Sequence, residues 1–248
     1  MEENTFSAKR IAQLRERVWK GIEFPESVPQ GWSKSPVDPS RLLEGFEALR
    51  LRKGYALRAY QFREGGNAAG YIWAMPSDKP FPEPKHCEVK GRGILEPPRP
   101  AFALDNHMMV IDGDRTPWSY VQASIFHREA LQLGAMWHGL DWSTYEIIEH
   151  NPIHGDVVEG YSKEELAYWR PEQWKTVRAG TKKARVREPS DWKTSVTVLR
   201  DTVRVRFYTF SELIDMSIYQ HVDLYVPRTY VFLAKESVVA TGPRGLTP

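Results

Sequence analysis

Apolar residues recur at every second position from residue 194 onward, and this period constrains the C-terminal part of the chain to β-strands. Within VRVRFYTF, Val203, Val205 and Phe207 alternate with arginines and a tyrosine. Successive side chains of a strand point to opposite faces, so the apolar set lines one face. Two more segments of this kind, IDMSIYQHVDLYV and RTYVFLAKESVVATG, predict an antiparallel meander with one wetter face.

A second pair of strands is predicted near the start of the chain. The segments YALRAYQF at 55–62 and GYIWAMP at 70–76 are rich in aromatic residues, and REGGNAA between them accepts turn geometry. We therefore expect a β-hairpin. The seven prolines of 76–100 exclude a helix or a central strand and predict a long ordered loop. The expected apolar anchors of this loop are Phe81, Ile94 and Leu95.

The central helix carries a signal at each end. The Thr116 hydroxyl can cap it, and Pro117 occupies a first position at which no N–H is needed. Gly134 can adopt the left-handed conformation that ends a helix. These signals predict a helix over 117–133.

The apolar stripe of this helix predicts its orientation. Ile125 is expected near the centre of the stripe. Leu131 is expected at one side of the stripe, still facing the core, and Arg128 on the solvent side.

Other patterns predict further elements. Apolar spacings of three and four indicate helices, and clustered prolines indicate extended chain. In the N-terminal part we expect an amphipathic helix over 5–20, an extended arm over 21–40 and a short helix within 41–50. Further along the chain we expect a brief helix over 106–113 capped by Asp105, a hairpin joining 135–137 to 142–149, and a helix that begins at Ser162. The run Met108–Ile111 fits a buried strand as well as a helix.

Helices between an early hairpin and a late meander indicate an α+β fold, in which antiparallel sheet packs with central helices. The chain has 248 residues, of which 41% are hydrophobic, so it can bury its own core and a single domain over 1–248 is expected. The helix over 5–20 and the arm over 21–40 would pack on this domain. No GxGxxG or P-loop motif occurs, and we expect no cofactor.

The cellular compartment is predicted from the apolar runs, the first ten residues and the cysteine content of the sequence. No apolar run approaches the roughly 18 residues that cross a bilayer, and MEENTFSAKR lacks the pattern of a secretory signal. The single cysteine, Cys87, excludes an internal disulfide and agrees with a reducing compartment. A cytoplasmic protein with no membrane partner is expected.

Histidines and acidic residues cluster in the middle of the sequence. The cluster comprises His127, His138, His150 and His154 with Glu129, Asp141, Glu146 and Glu149. Imidazoles and carboxylates are the ligands of hydrolytic metal centres. However, no HExxH motif occurs, and Pro152 prevents His150 and His154 from lying one helical turn apart. We expect no metal, and a hydrolase that uses His138, Asp141, His150 and His154 is the enzyme alternative.

Aromatic residues of the same region predict a small-molecule pocket, because such sites are mostly apolar with a few polar orienting groups. Core packing explains the same tryptophans. The candidate lining consists of Trp118, Trp137, Trp142 and Tyr145. The residues expected to bind a ligand are Trp118, Trp137, His138, Asp141, Trp142, His150 and His154.

A basic run extends from Lys175 to Arg206. It holds ten Lys or Arg against three acidic residues, an excess of seven positive charges in a chain of net charge +2. Nearby tryptophans could stack on the bases of single-stranded nucleic acid. A solvated sheet edge, or pairing with the protein's own acidic segments, explains the run more simply. We expect no nucleic-acid binding.

No activated nucleophile, phosphate-binding loop or metal signature is recognisable in the sequence. The leading hypothesis is therefore a non-catalytic protein that binds an unknown small molecule or protein partner. The hydrolase and a polyanion binder are the alternatives.

Overall fold

The computed structural model describes residues 2–25, 29–136, 142–150, 175–176, 189, 191–211 and 215–244. These residues form antiparallel sheets together with helices, the mixed α+β character that the sequence predicts. The helices are α1 (Ala8–Trp19), α2 (Ser40–Glu44) and α3 (Pro117–Leu131). The strands are β1 (Glu2–Phe6), β2 (Gly31–Lys34), β3 (Leu49–Leu51), β4 (Tyr55–Glu64), β5 (Asn67–Pro76), β6 (Ile111–Gly113), β7 (Glu146–Ile148), β8 (Lys175–Thr176), β9 (Thr194–Val198), β10 (Val203–Ser211), β11 (Asp215–Tyr225) and β12 (Phe232–Arg244).

Two compact units divide the chain. The first comprises 1–12, 144–224 and 232–248, and the second comprises 13–143 and 225–231. The single domain expected over 1–248 stays a prediction. Among the described residues, none of the helices is long and apolar enough to cross a lipid bilayer.

The first unit contains the predicted meander. Its strands run in the order β1-β9-β10-β11-β12-β8, so that β9 to β12 lie side by side in chain order. Val203, Val205 and Phe207 are buried, as their alternation predicts. The short strand β7 pairs with the second half of β10, at Tyr208–Phe210.

The hairpin expected between 135–137 and 142–149 is wrong. Met136 instead pairs with Ala68, whereas β7 pairs with β10. Trp142–Thr144 forms a turn of 3-10 helix. Both flanks have strand character, but their hydrogen-bonding partners lie far away in the sequence, where local pattern gives no information.

The second unit contains the predicted early hairpin, formed by β4 and β5 with Tyr60 opposite Tyr71. Gly65 and Gly66 form its turn, both with positive φ, which glycine adopts without strain. Strand β2 completes this sheet against β4. The hairpin and the meander therefore belong to separate sheets, not to one sheet.

The proline-rich segment 76–100 is largely irregular, as predicted, with one 3-10 turn at Pro84–His86. Phe81 anchors it by stacking on Tyr60, with ring centroids 4.5 Å apart. Leu95 is 90% exposed, so its expected role as an anchor is wrong. Arg92 pairs with Glu96, so Leu95 lies in the turn between them.

The predicted central helix is confirmed as α3, which ends at Leu131 and not at residue 133. The Thr116 hydroxyl accepts a hydrogen bond from Ser119 N at 3.3 Å, and Pro117 is the first helical residue. Gly134 has φ +77°, in the left-handed region expected beyond the helix end. Ile125 is completely buried, as expected.

The expected orientations of Leu131 and Arg128 are wrong. Leu131 is 52% exposed, and Arg128 is only 9% exposed. Polar residues such as Gln122 and Ser124 are also buried, so most of the circumference of α3 is covered. An apolar stripe identifies the solvent side of a helix only when one side is exposed.

The smaller elements follow the predictions in part. In α1, Ile11, Leu14 and Val18 are buried, which confirms the amphipathic helix, although Phe6 belongs to β1. Helix α2 ends at Glu44, and a Cβ at the following Gly45 would lie 2.8 Å from the Val18 Cα.

The 3-10 turn His107–Val110 takes the place of the brief helix expected over 106–113, and β6 follows it. It is capped by Asn106, whose side chain accepts from Met108 N, and not by Asp105. The helix expected from Ser162 lies outside the described residues.

Candidate functional site

Three of the seven predicted ligand-binding residues are described, and Trp118 and Trp142 contact different carboxylates. The Trp118 indole N–H lies 3.3 Å from Glu47 Oε1, and the buried Trp142 donates to Glu129 Oε1 at 2.8 Å. His150 is exposed. Trp137, His138, Asp141 and His154 lie outside the described residues. The site built on these seven residues stays a prediction.

Glu129 is a buried carboxylate, with 1% of its surface exposed. It accepts hydrogen bonds from Arg15 Nε, from Trp19 Nε1 at 2.7 Å and from Trp142 Nε1 at 2.8 Å. The guanidinium groups of Arg15 and Arg128 lie 4.8 and 5.6 Å from the Trp142 ring. Because charge-assisted bonds occupy its oxygens, Glu129 joins α1, α3 and the 142–144 turn structurally.

A stacked pair of imidazoles lies beside α3. The His107 and His127 ring centroids are 5.3 Å apart, and the edge of His107 meets Phe126. Burial, and secondly the charge of His127, lower the pKa of His107 from 6.5 to about 3. The buried imidazole is therefore neutral at physiological pH.

We expect this pair to make the protein sensitive to acid. The folded state holds His107 neutral, whereas the unfolded chain protonates it below about pH 6.5, so stability is complete above that pH and is lost towards pH 3. The slope is about 1.4 kcal/mol per pH unit, or roughly 2 kcal/mol between pH 6.5 and 5. Urea unfolding at pH 7 and pH 5 should show that the free energy of unfolding falls less between these pH values in His107→Phe than in wild type. Equal losses would contradict the expectation.

A hydroxyl, an imidazole and a carboxylate meet in the sheet of the first unit. Thr209 Oγ1 lies 2.8 Å from His221 Nε2, and Glu236 Oε2 lies 3.3 Å from His221 Nδ1. This is the order of groups that activates a nucleophilic hydroxyl. Thr209 and His221 are completely buried side chains of β10 and β11, and the contact between them joins the two strands.

Within the described ranges, no group of three or more His, Cys, Asp or Glu side chains is arranged to hold a metal ion. In the described part of the basic run, Arg204 donates to Thr197 Oγ1 at 3.2 Å, and Arg206 lies 3.8 Å from Glu3. Much of the run lies outside the described residues, so the nucleic-acid expectation stays a prediction.

A cleft of about 480 Å³ lies entirely within the second unit. Such a volume falls in the range of small-molecule sites. The residues that line the cleft are Phe24, Pro25, Gln61, Arg63, Gly134, Ala135 and Met136. Phenylalanine, proline, alanine and methionine side chains make much of the wall apolar, while Gln61 and Arg63 supply polar groups.

Backbone contacts hold the wall of the cleft in place. Met136 N donates to Ala68 O at 3.0 Å, and Ala68 N donates back to Met136 O at 3.4 Å. A Cβ at Gly70 would lie 1.8 Å from Leu133 O, so β5 can approach the end of α3 only because this position is glycine. The hairpin therefore brings Gln61 of β4 next to Gly134.

Gln61 is a polar residue of the cleft whose side chain lacks a complete set of partners among the described residues. Its side chain is 1% exposed, and Nε2 donates to Gly134 O at 3.2 Å. Because a carbonyl can only accept, this contact assigns the amide nitrogen and leaves Oε1 as the other terminal atom. Oε1 is shielded from solvent and accepts no hydrogen bond from the described residues.

Sequence reasoning placed the strand that carries Gln61 but missed the residue. A signal was present, since Gln61 is a polar residue between Tyr60 and Phe62 in an aromatic strand. Arg63 lies two positions further along the same strand, but the remaining cleft residues come from around 24 and 135 in the sequence, and no local pattern connects them with β4.

Comparison of the chain with protein-family models, with curated proteins and with solved structures finds no match.

Proposed function

We propose that this protein is a non-catalytic binding protein that takes a small organic molecule into the cleft beside Gln61. The observation that carries the proposal is the buried Gln61 Oε1, which lies in a lining residue and accepts no hydrogen bond from the described residues. An unsatisfied buried acceptor costs about 1–3 kcal/mol. A ligand that donates an N–H or O–H to this atom would recover that free energy.

The chemistry of the lining supports binding rather than catalysis. Phe24, Pro25, Gly134, Ala135 and Met136 offer no group that titrates or attacks at neutral pH. Arg63 remains charged, and the Gln61 amide does not ionise. These side chains can orient a ligand, but they cannot transfer a proton in a reaction.

The minimal ligand is an apolar ring or chain that carries one hydrogen-bond donor. Phe24 and Met136 offer apolar contact, and sulfur–aromatic contacts are favourable at methionine. A compound of eight or so heavy atoms that fills part of the cleft should bind with a Kd of about 1 mM.

The neutral probe 4-methylphenol tests this proposal. Titration into 15N-labelled protein should shift the Gln61 side-chain amide and the backbone signals of Gly134 and Met136. Its methyl ether, 4-methylanisole, lacks the O–H donor and should bind about 3–10-fold more weakly, as expected for one net hydrogen bond.

Replacement of Gln61 by methionine keeps the length of the side chain and removes the acceptor. We expect Gln61→Met to lower the affinity for 4-methylphenol by about 3–10-fold, so that this compound no longer binds more tightly than its methyl ether. The control is Gln220→Met, which removes an amide that donates to Tyr208 in the first unit and should leave binding unchanged. Shifts that map elsewhere, or no saturable shift at all, would refute the proposal.

A further inference from the structure

We propose that the ligand of this cleft is an anion, an apolar carboxylic acid whose carboxylate pairs with Arg63 while a hydroxyl or N–H at its other end donates to Gln61. This inference rests on the proposed function, because it names the chemical class of molecule that the same cleft takes.

The position of Arg63 on β4 carries the inference. Gln61 and Arg63 are two positions apart in one strand, so their side chains leave the same face, and both line the cleft. Two strand residues span about 6.5–7 Å. A ligand that contacts both residues therefore needs a donor and an anionic group at opposite ends of a body about one aromatic ring long.

The guanidinium of Arg63 is suited to a carboxylate. Its five N–H donors form a fixed fork that matches the two oxygens, and such charge-assisted bonds are stronger than neutral ones. Five donors also allow Arg63 to keep contacts with the protein while it binds a ligand. Arg63 is only half-buried, and the apolar wall beside it reduces the screening of its charge.

The two polar groups recognise different partners, so a ligand should bind in one orientation. The Gln61 oxygen accepts only, so it selects a donor, whereas the arginine donates only and selects an acceptor. An apolar amine could donate to Gln61 but offers no acceptor to Arg63, and its positive charge near the guanidinium should make it bind more weakly than the acid.

Three probes separate the contributions of charge and donor. The compound 4-hydroxyphenylacetate carries both groups, 4-hydroxyphenylacetamide has the same shape without the charge, and phenylacetate lacks the hydroxyl. We expect the acid to bind about tenfold or more tightly than its amide, and the advantage to shrink with added salt. Phenylacetate should bind about 3–10-fold more weakly than the hydroxy acid.

The variant Arg63→Met should abolish the preference for acid over amide while 4-methylphenol binds as before, which shows that the cleft is intact. The matched control is Arg58→Met, which removes another half-buried cation of β4 from the opposite face and should keep the preference. If Arg63→Met does not fold, the acid and amide comparison on the wild-type protein still decides.

Equal affinities of acid and amide in wild type, or a preference that survives in Arg63→Met, would overturn the anion proposal. If either result is obtained while 4-methylphenol binds normally, the proposal that the cleft binds a small molecule still stands. Absence of binding by every probe would overturn both.

Discussion

Replacement of Glu129 by alanine should lower the free energy of unfolding by about 3–5 kcal/mol, the range for breaking a buried ion pair. The carboxylate accepts from Arg15 and from the indoles of Trp19 and Trp142. Its removal leaves a largely buried guanidinium and two indole N–H groups without their acceptor. Urea unfolding at pH 7, followed by circular dichroism, would measure the loss.

An exposed carboxylate of the second unit provides the control. Asp105 pairs with Arg99, but its side chain is mostly exposed, so Asp105→Ala should cost less than about 1 kcal/mol. If Glu129→Ala were no more damaging than this control, Glu129 would not hold α1, α3 and the 142–144 turn together.

Truncation of Ile125 to alanine should cost about 2–5 kcal/mol. The side chain is completely buried in α3, so the change removes apolar burial and leaves a cavity that close-packed neighbours fill only in part. The same urea experiment applies, and the slope with denaturant should not change, because the folded state keeps its compactness.

Leu131 of the same helix is the matched control. It is half exposed, so Leu131→Ala should cost about 1 kcal/mol or less. A larger loss at Leu131 than at Ile125 would contradict the burial of Ile125 and the exposure of Leu131 in α3.

The elements that could be predicted from the sequence are those with local signals. The ends of α3 follow from Thr116, Pro117 and Gly134, and the meander follows from period-two alternation. The early hairpin follows from glycines between aromatic segments. Each signal lies within the element that it predicts or close beside it in the sequence, so no knowledge of distant residues is needed.

The wrong predictions concern features that depend on residues far away in the sequence. Arg128 is buried because it donates to Ser124 O and lies against Trp142, which comes fourteen residues later. The segment around Met136 pairs with Ala68, not with its neighbour in sequence. A long side chain such as arginine buries its stem against an aromatic partner, and the helical periodicity of the sequence does not indicate that partner.

The candidate site could not be predicted for the same reason. Gln61 and Gly134 come together because Gly70 lets β5 approach the end of α3, and Phe24 joins them from a distant part of the sequence. The sequence pointed to tryptophans and histidines, which are chemically distinctive residues. The group that carries the proposal is instead an ordinary amide whose oxygen accepts no hydrogen bond from the described residues.

The most direct test of the binding proposal is a crystal structure of the protein soaked with 4-hydroxyphenylacetate. The ring should lie in the cleft between Phe24 and Met136, with its hydroxyl about 2.7 Å from Gln61 Oε1 and its carboxylate against Arg63. An empty cleft at saturating ligand, or a ligand seated elsewhere with Gln61 Oε1 still without a donor, would contradict the proposal.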